Sequence, residues 1–335
     1  MFRIVNLDSM EKSSAEMYLT RYFQGWAITE GWNPGEHDVQ LYFASYPKAF
    51  YVLEVLRDTQ YEVASIIFAP YDSYTHQASI GIYISEKSTY RGKGYAYQLW
   101  QYVLQKLSEE KLDCRKFLYG VPAQVENYKK SGFKSTHNIL HYIMKTDQRY
   151  GPLRNSVDEA TATNYLELLQ YVGDNYSEGL ARFIKLGIDE KYIQAQIARD
   201  AQDPRRPIIG FGMLRPLVDG KSFRYTIMTD MRVDHMSIAD DLFRALNQLL
   251  KLDQLAVLDV CETHPMVKLY EHYSIPTVAK LQEDSSTQQY GQPWTTEMCI
   301  YPAAQNRMLN VAAEPSLETN FLPRFLTDKK ISICC

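Results

Sequence analysis

The stretch Arg91-Gly92-Lys93-Gly94-Tyr95-Ala96 interleaves two glycines with two cations, directly ahead of an apolar run with helical spacing. Glycine at a helix start is costly unless the backbone must take an unusual shape or come very close to something. The first N–H groups of a helix lack intrahelical partners and point outward, and the helix dipole adds partial positive charge there. Bare backbone at Gly92 and Gly94, with Arg91 and Lys93 to add charge-assisted hydrogen bonds, therefore suits a phosphate-type anion. A turn that merely joins a strand to a helix would use the same residues. The pattern is not a P-loop, since G-x-x-x-x-G-K-[ST] is absent. It is not a G-x-G-x-x-G dinucleotide turn either, because the third glycine and an acidic ribose partner are missing.

Other chemistries find little footing. His137 and His141 stand four apart in His137-Asn-Ile-Leu-His141, but that segment reads as a strand, so the two do not converge as they would on a helix, and His37 and His76 have no partner at metal spacing. No zinc or other metal site is expected. No G-x-S-x-G elbow appears, and none of the five cysteines (Cys114, Cys261, Cys299, Cys334, Cys335) lies in a recognisable nucleophile setting. The 26 tyrosines are scattered without basic interleaving, which argues against a nucleic-acid platform.

The elements that must position the glycine turn can be read from periodicity. Ala78–Ser88 is a strand candidate, and Tyr95–Leu107 places Ala96, Leu99, Val103, Leu104 and Leu107 on one helical face. A similar plan recurs about 143 residues on. Phe223–Met231 leads through a turn into a run with Ile238, Leu242, Leu246, Leu249 and Leu250 at helical spacing, so that Leu99 falls on Leu242, Trp100 on Phe243, Val103 on Leu246 and Leu107 on Leu250. Downstream, both halves read strand, loop, short helix and turn, with Tyr128 four residues before Gly132 and Tyr270 four before Ser274. The polar, turn-rich segment Asp147–Asn155 separates the halves. The expected organisation is α/β: a front domain over 1–147, a back domain over 157–305 and a tail over 306–335.

Composition sets the broad class. At 335 residues, 45% hydrophobic and 23% charged, the chain can bury a sizeable core, and its net charge of −4 offers no general attraction to nucleic acid or anionic membranes. Few, odd and dispersed cysteines fit a reducing compartment. The N-terminus lacks the apolar core of a signal peptide, and no apolar run approaches the ~20 residues that span a bilayer. The ending Ile331-Ser-Ile-Cys-Cys335 has Ser332 where a prenylation box requires cysteine. A soluble, cytoplasmic protein without membrane or nucleic-acid partner is expected.

Arg91 to Ala96 matches [QR]-x-x-G-x-[GA], the signature of the GNAT N-acetyltransferase superfamily, and the strand before it and helix after it stand where that fold places them. Together with Gly31–Asp38 (GWNPGEHD), Gly120–Phe133 and Gly210–Pro216 (GFGMLRP), it resembles tandem GNAT proteins that carry a normal front copy and a degenerate back copy. The resemblance implies two tandem GNAT-like domains, each a mixed central sheet flanked by helices. It implies that Arg91, Gly92, Lys93, Gly94, Tyr95 and Ala96 cradle the pyrophosphate of acetyl-CoA, and that Ile82, Tyr83 and Ile84 offer backbone groups to its pantetheine arm. Tyr128 would be the general acid that protonates the departing thiolate, a proton transfer that a phenol within hydrogen-bond reach can make. It could instead pack on the core side of its short helix.

Departures from the pattern matter as much. In the back half the turn reads Asp234-His-Met-Ser-Ile-Ala239, with an aspartate in place of Arg91 and side chains in place of both glycines, so it is not expected to bind coenzyme A in the usual way. In the front half Val121 occupies the position where many relatives have an asparagine, with Gln124 or Asn127 as possible substitutes. The general base is unassigned; Glu30, Glu36, His37 and Asp38 lie where the fold forms its acceptor wall. The function implied is acetyl transfer from acetyl-CoA to a small-molecule or protein amine. The alternative is a non-catalytic acyl-CoA sensor or scaffold, since a fold alone does not set an activity.

Overall fold

The computed structural model describes residues 1–73, 76–110, 114–144, 146, 151–161, 163–230, 234–274 and 295–301. The tail with Cys334 and Cys335, and part of the central linker, lie outside the described residues. In chain order the front half contains β1 (Phe2–Asn6), α1 (Lys12–Tyr18), a π-helical stretch (Leu19–Gln24), α2 (Gly25–Thr29), α3 (Asp38–Ser45), β2 (Phe50–Arg57), β3 (Gln60–Phe68), β4 (Tyr71–Asp72), β5 (Gln77–Ser85), α4 (Tyr95–Glu110), β6 (Arg115–Gly120), α5 (Val125–Lys130) and β7 (Lys134–Met144). The rest is β8 (Ser156–Glu159), α6 (Tyr165–Asn175), α7 (Glu178–Asp189), β9 (Gln194–Arg199), β10 (Ile208–Pro216), β11 (Ser222–Thr229), α8 (His235–Asn247), β12 (Leu255–Cys261), α9 (Val267–Tyr273) and β13 (Thr295–Tyr301).

The strands form one mixed sheet in the order β1-β2-β3-β5-β6-β13-β7-β12-β11-β10-β9-β8, with β4 against β5. Each half is an antiparallel meander with a single parallel step, β5 with β6 in the front and β11 with β12 in the back. The centre of the sheet shows how the halves join. The last strand of the front half, β7, runs antiparallel to β12 of the back half, from Ala256↔Met144 to Cys261↔Ile139. The last strand of the back half, β13, lies antiparallel to β6 of the front half, from Glu297↔Gly120 to Tyr301↔Lys116, and pairs with β7 on its other side. The two halves have thus exchanged their closing strands.

The core repeats this division and then crosses it. Under α4, Leu99, Trp100, Val103 and Leu107 pack on Leu53, Ile67, Ile80 and Leu118. Under α8, Leu242, Phe243 and Leu246 pack on Tyr225, Leu258 and Tyr270. The stripe read from the sequence runs too far here: α8 ends at Asn247, and Leu249 beyond it is exposed. The third cluster is shared: Phe23, Tyr42, Phe50 and Phe68 from the front join Leu180, Phe183 and Phe211 from the back. Close packing of this kind couples its two sides mechanically.

Polar ties reinforce the shared core. Asp38, fully buried, accepts from Arg215 Nη1 at 2.6 Å with one carboxylate oxygen and from the Gly35 amide at 2.7 Å with the other. Around it Glu36 N donates to Pro216 O at 2.9 Å, Val218 N to Pro34 O at 3.0 Å, and Asn33 Nδ2 to Asp219 Oδ2 at 2.9 Å. The two motifs Gly31–Asp38 and Gly210–Pro216 are therefore stitched together. The described part of the linker is held as well: Arg154 N and Asn155 N donate to Asp241 Oδ2 on α8. Among the described residues no helix is long and apolar enough to cross a membrane.

Candidate active site

The parallel ladder between β5 and β6 ends at Ile80↔Leu118. Beyond that pair lies a cleft of about 430 Å³ lined by Gly81 to Ser85 of β5 and by Leu118, Tyr119 and Val121 from β6 and the loop after it. The lining also includes Arg91, Gly92, Gly94, Ala96 and Trp100, then Gln124 and Tyr128, and on the remaining side Glu30 and Trp32.

The wall formed by β5 is bent by a bulge. Ile66 of β3 faces Ile84 and Phe68 faces Gly81, so β5 spends three steps where β3 spends two. Ile82 sits at the irregularity with φ +47°, a strained value for a β-branched residue. The bulge reverses the side-chain alternation. Ala78 and Ile80 pack under α4, and strict alternation would send Ile82 and Ile84 after them. Instead Ile82 and Ile84 enter the core shared with the back half, and Tyr83 turns towards α4.

Trp100 of α4, only 2% exposed, forms the floor on which two tyrosines meet. Its ring centroid is 5.2 Å from that of Tyr83 and 5.4 Å from that of Tyr128, and its Nε1 donates to Ser131 Oγ at 3.0 Å. Burial, with Tyr128 nearby, pushes the Tyr83 hydroxyl well above the ordinary phenol range. Tyr128 is half-buried on α5 and leans over Gly120, where a Cβ would come within 3.1 Å of its ring. The turn after it closes tightly, with Ser131 N and Phe133 N both donating to Tyr128 O.

The glycine turn has positive φ at both glycines, +80° at Gly92 and +82° at Gly94, and a Cβ at either would meet nothing within 4 Å. Backbone conformation demands glycine here; crowding does not. The residue preceding α4 is Gly94, which has no side chain with which to cap the helix. Glu86 holds the loop that enters the turn. Its carboxylate accepts from the Ser88 hydroxyl and amide, from Thr89 N at 2.5 Å and from Tyr90 N at 3.2 Å, while Arg91 N donates to Glu86 O at 2.9 Å. Burial alone would raise the Glu86 pKa, but these hydrogen bonds outweigh it and bring the group down to about 2.

The sequence-derived residues divide as follows. Ile82, Tyr83, Ile84, Arg91, Gly92, Gly94, Ala96 and Tyr128 all line the one cleft. Lys93 is exposed at the tip of the turn, and Tyr95 packs its ring against Phe2 and Tyr90; neither lines the cleft. Val121 and Gln124 are in the lining, and Gln124 Oε1 accepts from Asn127 Nδ2 at 2.8 Å. Of the four acceptor-wall candidates only Glu30 reaches the cleft. Asp38 is consumed by the buried pair with Arg215, and His37 stacks on Tyr192 with centroids 3.9 Å apart, next to Glu36. Sequence reasoning passed over Trp100 because it stood in an apolar helical stripe. It also passed over Glu86, whose signal was an acid two and three residues ahead of Ser88 and Thr89, a spacing suited to a side chain that caps its own turn.

In the back half the equivalent places are filled differently. Asp234 caps α8, its carboxylate accepting from Ser237 N at 3.2 Å. Tyr270 is fully buried, its hydroxyl 3.2 Å from Met266 Sδ, and burial pushes its pKa above the phenol range.

A strand pair parts around a bulge here, with a glycine turn opening a helix beside it, and residues 13–133, which hold this arrangement, match the model of the Acetyltransferase (GNAT) family. The mixed α/β architecture is the GNAT fold. Holothin acyltransferase of Pseudoalteromonas sp. (strain SANK 73390) is 29% identical over 147 residues, which cover 44% of this chain and 46% of that protein, so the match spans about half the length of this curated relative. Among solved structures, a putative acetyltransferase from Pyrococcus horikoshii superposes with a TM-score of 0.58 at 12% identity, over 93% of this chain and 92% of that one. A tandem GNAT protein from the clavulanic acid biosynthesis pathway does so with a TM-score of 0.57 at 11% identity, over 92% and 99%. At such identities these two likenesses concern the fold.

Proposed function

We propose that this chain is an N-acyltransferase that takes the acetyl group of acetyl-CoA and passes it directly to an amine in the cleft between β5 and β6. One observation carries the reading: a bulged strand edge, an uncapped glycine turn and a half-buried tyrosine converge on a single cleft. These residues suit a coenzyme A thioester. The open space over Gly92 and Gly94 admits a diphosphate to the amides of Gly92 to Ala96, and Arg91 adds a cation. The backbone at Ile82, Tyr83 and Ile84 lies beyond the last pair of the β5–β6 ladder and lines the cleft, where it would align the pantetheine arm.

Bound acetyl-CoA supplies an acyl group activated as a thioester. The protein's part is positioning and proton handling. Holding the amine beside the acyl carbon can contribute several kcal/mol, on the order of 7 or more in favourable cases. Strand amides aimed at the developing oxyanion add to this. As the C–N bond forms and the C–S bond breaks, Tyr128 Oη gives its proton to the leaving sulfur. The acylated nitrogen gives up one proton to water, and Tyr128 is reprotonated from the same water. Trp100 and Gly120 fix the tyrosine ring. The named acyltransferase relative supports acyl transfer as the reaction class. The acceptor in this reading is a small-molecule or protein amine that reaches the acyl carbon in its neutral form.

The back half, in the same reading, is a degenerate GNAT-like copy over 157–305 that serves the front copy over 1–147. Asp234 puts a carboxylate where a phosphate would have to sit, and Tyr270 is sealed in the core. Tyr128→Phe tests the catalytic claim. Turnover should fall by about 10²-fold or more, while the acetyl-CoA Kd from calorimetry stays within about twofold. Unchanged turnover would reject Tyr128 as the acid. Tight binding without turnover for any amine in a free-thiol assay would favour the sensor reading.

A further inference from the structure

Arg91, the one of the turn's two cations that lines the cleft, is engaged there. Its Nη2 donates to Glu30 Oε1 and, at 3.1 Å, to Ser85 O. Glu30 is the less exposed partner, with 23% of its side chain accessible against 42% for Arg91. A carboxylate is an unexpected neighbour for a cradle that is to receive a diphosphate, because the two anions compete for one guanidinium.

Glu30 also rests on a rigid mount. Its amide donates to Trp26 O at 2.9 Å, Gly31 N to Ile28 O at 3.0 Å and Trp32 N to Ala27 O at 2.9 Å. The residues that follow are stitched to the back half through Glu36 N to Pro216 O, Val218 N to Pro34 O and the buried Asp38–Arg215 pair. The backbone that carries the carboxylate is therefore held beside the turn, and the side chain leaves Arg91 only by its own rotation. A diphosphate that takes the guanidinium must displace this carboxylate, and the two negative charges stay within a side chain's reach of each other.

We propose that Glu30 is a built-in competitor for Arg91, an internal stand-in for the cofactor's diphosphate that weakens coenzyme A binding and hastens release of the product. The inference rests on reading the cleft as the coenzyme A site. It assigns a role to the back half as well, which fixes the segment carrying the competitor.

The test uses the full chain and isothermal calorimetry with coenzyme A, and with pantetheine as a ligand lacking the diphosphate. Glu30→Gln should tighten coenzyme A binding about three- to tenfold, the effect of removing one partly exposed opposing charge. Pantetheine affinity should not change. In an Arg91→Gln background, which itself binds coenzyme A more weakly, the gain from Glu30→Gln should shrink to less than about twofold. Stopped-flow displacement should show the gain mainly as slower coenzyme A release. If the wild-type chain binds coenzyme A and Glu30→Gln binds it equally or more weakly, the competitor role is overturned while the reading of the cleft stands. If the wild-type chain binds no coenzyme A, the reading of the cleft fails and takes the competitor with it.

Discussion

The pair Asp38–Arg215 offers the sharpest test of how the halves depend on each other. Both residues are buried, at 0% and 5% exposure, and they lie on opposite halves of the chain. Asp38 Oδ1 receives Arg215 Nη1 at 2.6 Å, the same nitrogen lies 3.1 Å from Tyr42 Oη, and the guanidinium stands 5.7 Å from the ring centroids of Tyr42 and Phe183. Arg215→Met keeps much of the volume and the apolar contact but takes the guanidinium away from a fully buried carboxylate. Breaking a buried pair from one side costs about 3–5 kcal/mol, chiefly because the surviving charge is uncompensated. For a chain of this size that corresponds to a fall in Tm of about 4–7 °C. Asp38→Asn should cost a similar amount from the other side. The double variant Asp38→Asn/Arg215→Met removes both charges, so it should be less damaged than the sum of the singles by at least about 1.5 kcal/mol. Denaturant unfolding followed by circular dichroism, with calorimetry for Tm, measures all four proteins. Single variants that each lose less than about 1 kcal/mol, or a double variant that is additive within about 0.5 kcal/mol, would refute the argument.

Two further outcomes follow from the same geometry. Glu86 has a folded pKa of about 2, below its ordinary value of 4.5, so its hydrogen bonds stabilise the protein above that ordinary value and are lost as the pH falls from about 4.5 towards 2. In Glu86→Gln that acid-side loss should be absent, so Tm measured from pH 6 to 3 should fall less steeply than in the wild type. A fragment of residues 1–147 would deprive β6 of β13 and β7 of both β12 and β13, leaving long unpaired edges at the centre of the sheet. It should be aggregated or unfolded on size exclusion, and co-expression with 148–335 should restore a soluble complex; a folded monomeric fragment would contradict this.

What the sequence could and could not reveal follows from the range over which each feature is encoded. The helix stripe of α4 and the glycine turn are local: Leu99, Trp100 and Val103 are buried because a period of 3.6 places them on one face. In α8, by contrast, burial extends round the helix from Ile238 to Asn247, and the stripe alone does not foretell it. Gly92 and Gly94 are needed for their own φ values, so residue type alone announced them. The bulge at Ile82 has no such signature. Ile80, Ile82 and Ile84 read as one face of a strand, and only the pairing with Ile66 and Phe68 shows that the face switches between Ile80 and Ile82. The strand exchange is still less local. Nothing in the local pattern of β7 says which half it pairs with, and its partners lie more than a hundred residues away, such as Asn138 with Glu262 and His141 with Asp259. The fate of Asp38 and Glu30 shows the same limit within one short segment. Both are carboxylates in the predicted acceptor wall, yet one meets an arginine inside the core and the other meets an arginine in the cleft. The identity of the partner, set by tertiary packing, is what divides a structural charge from one positioned to act on a ligand.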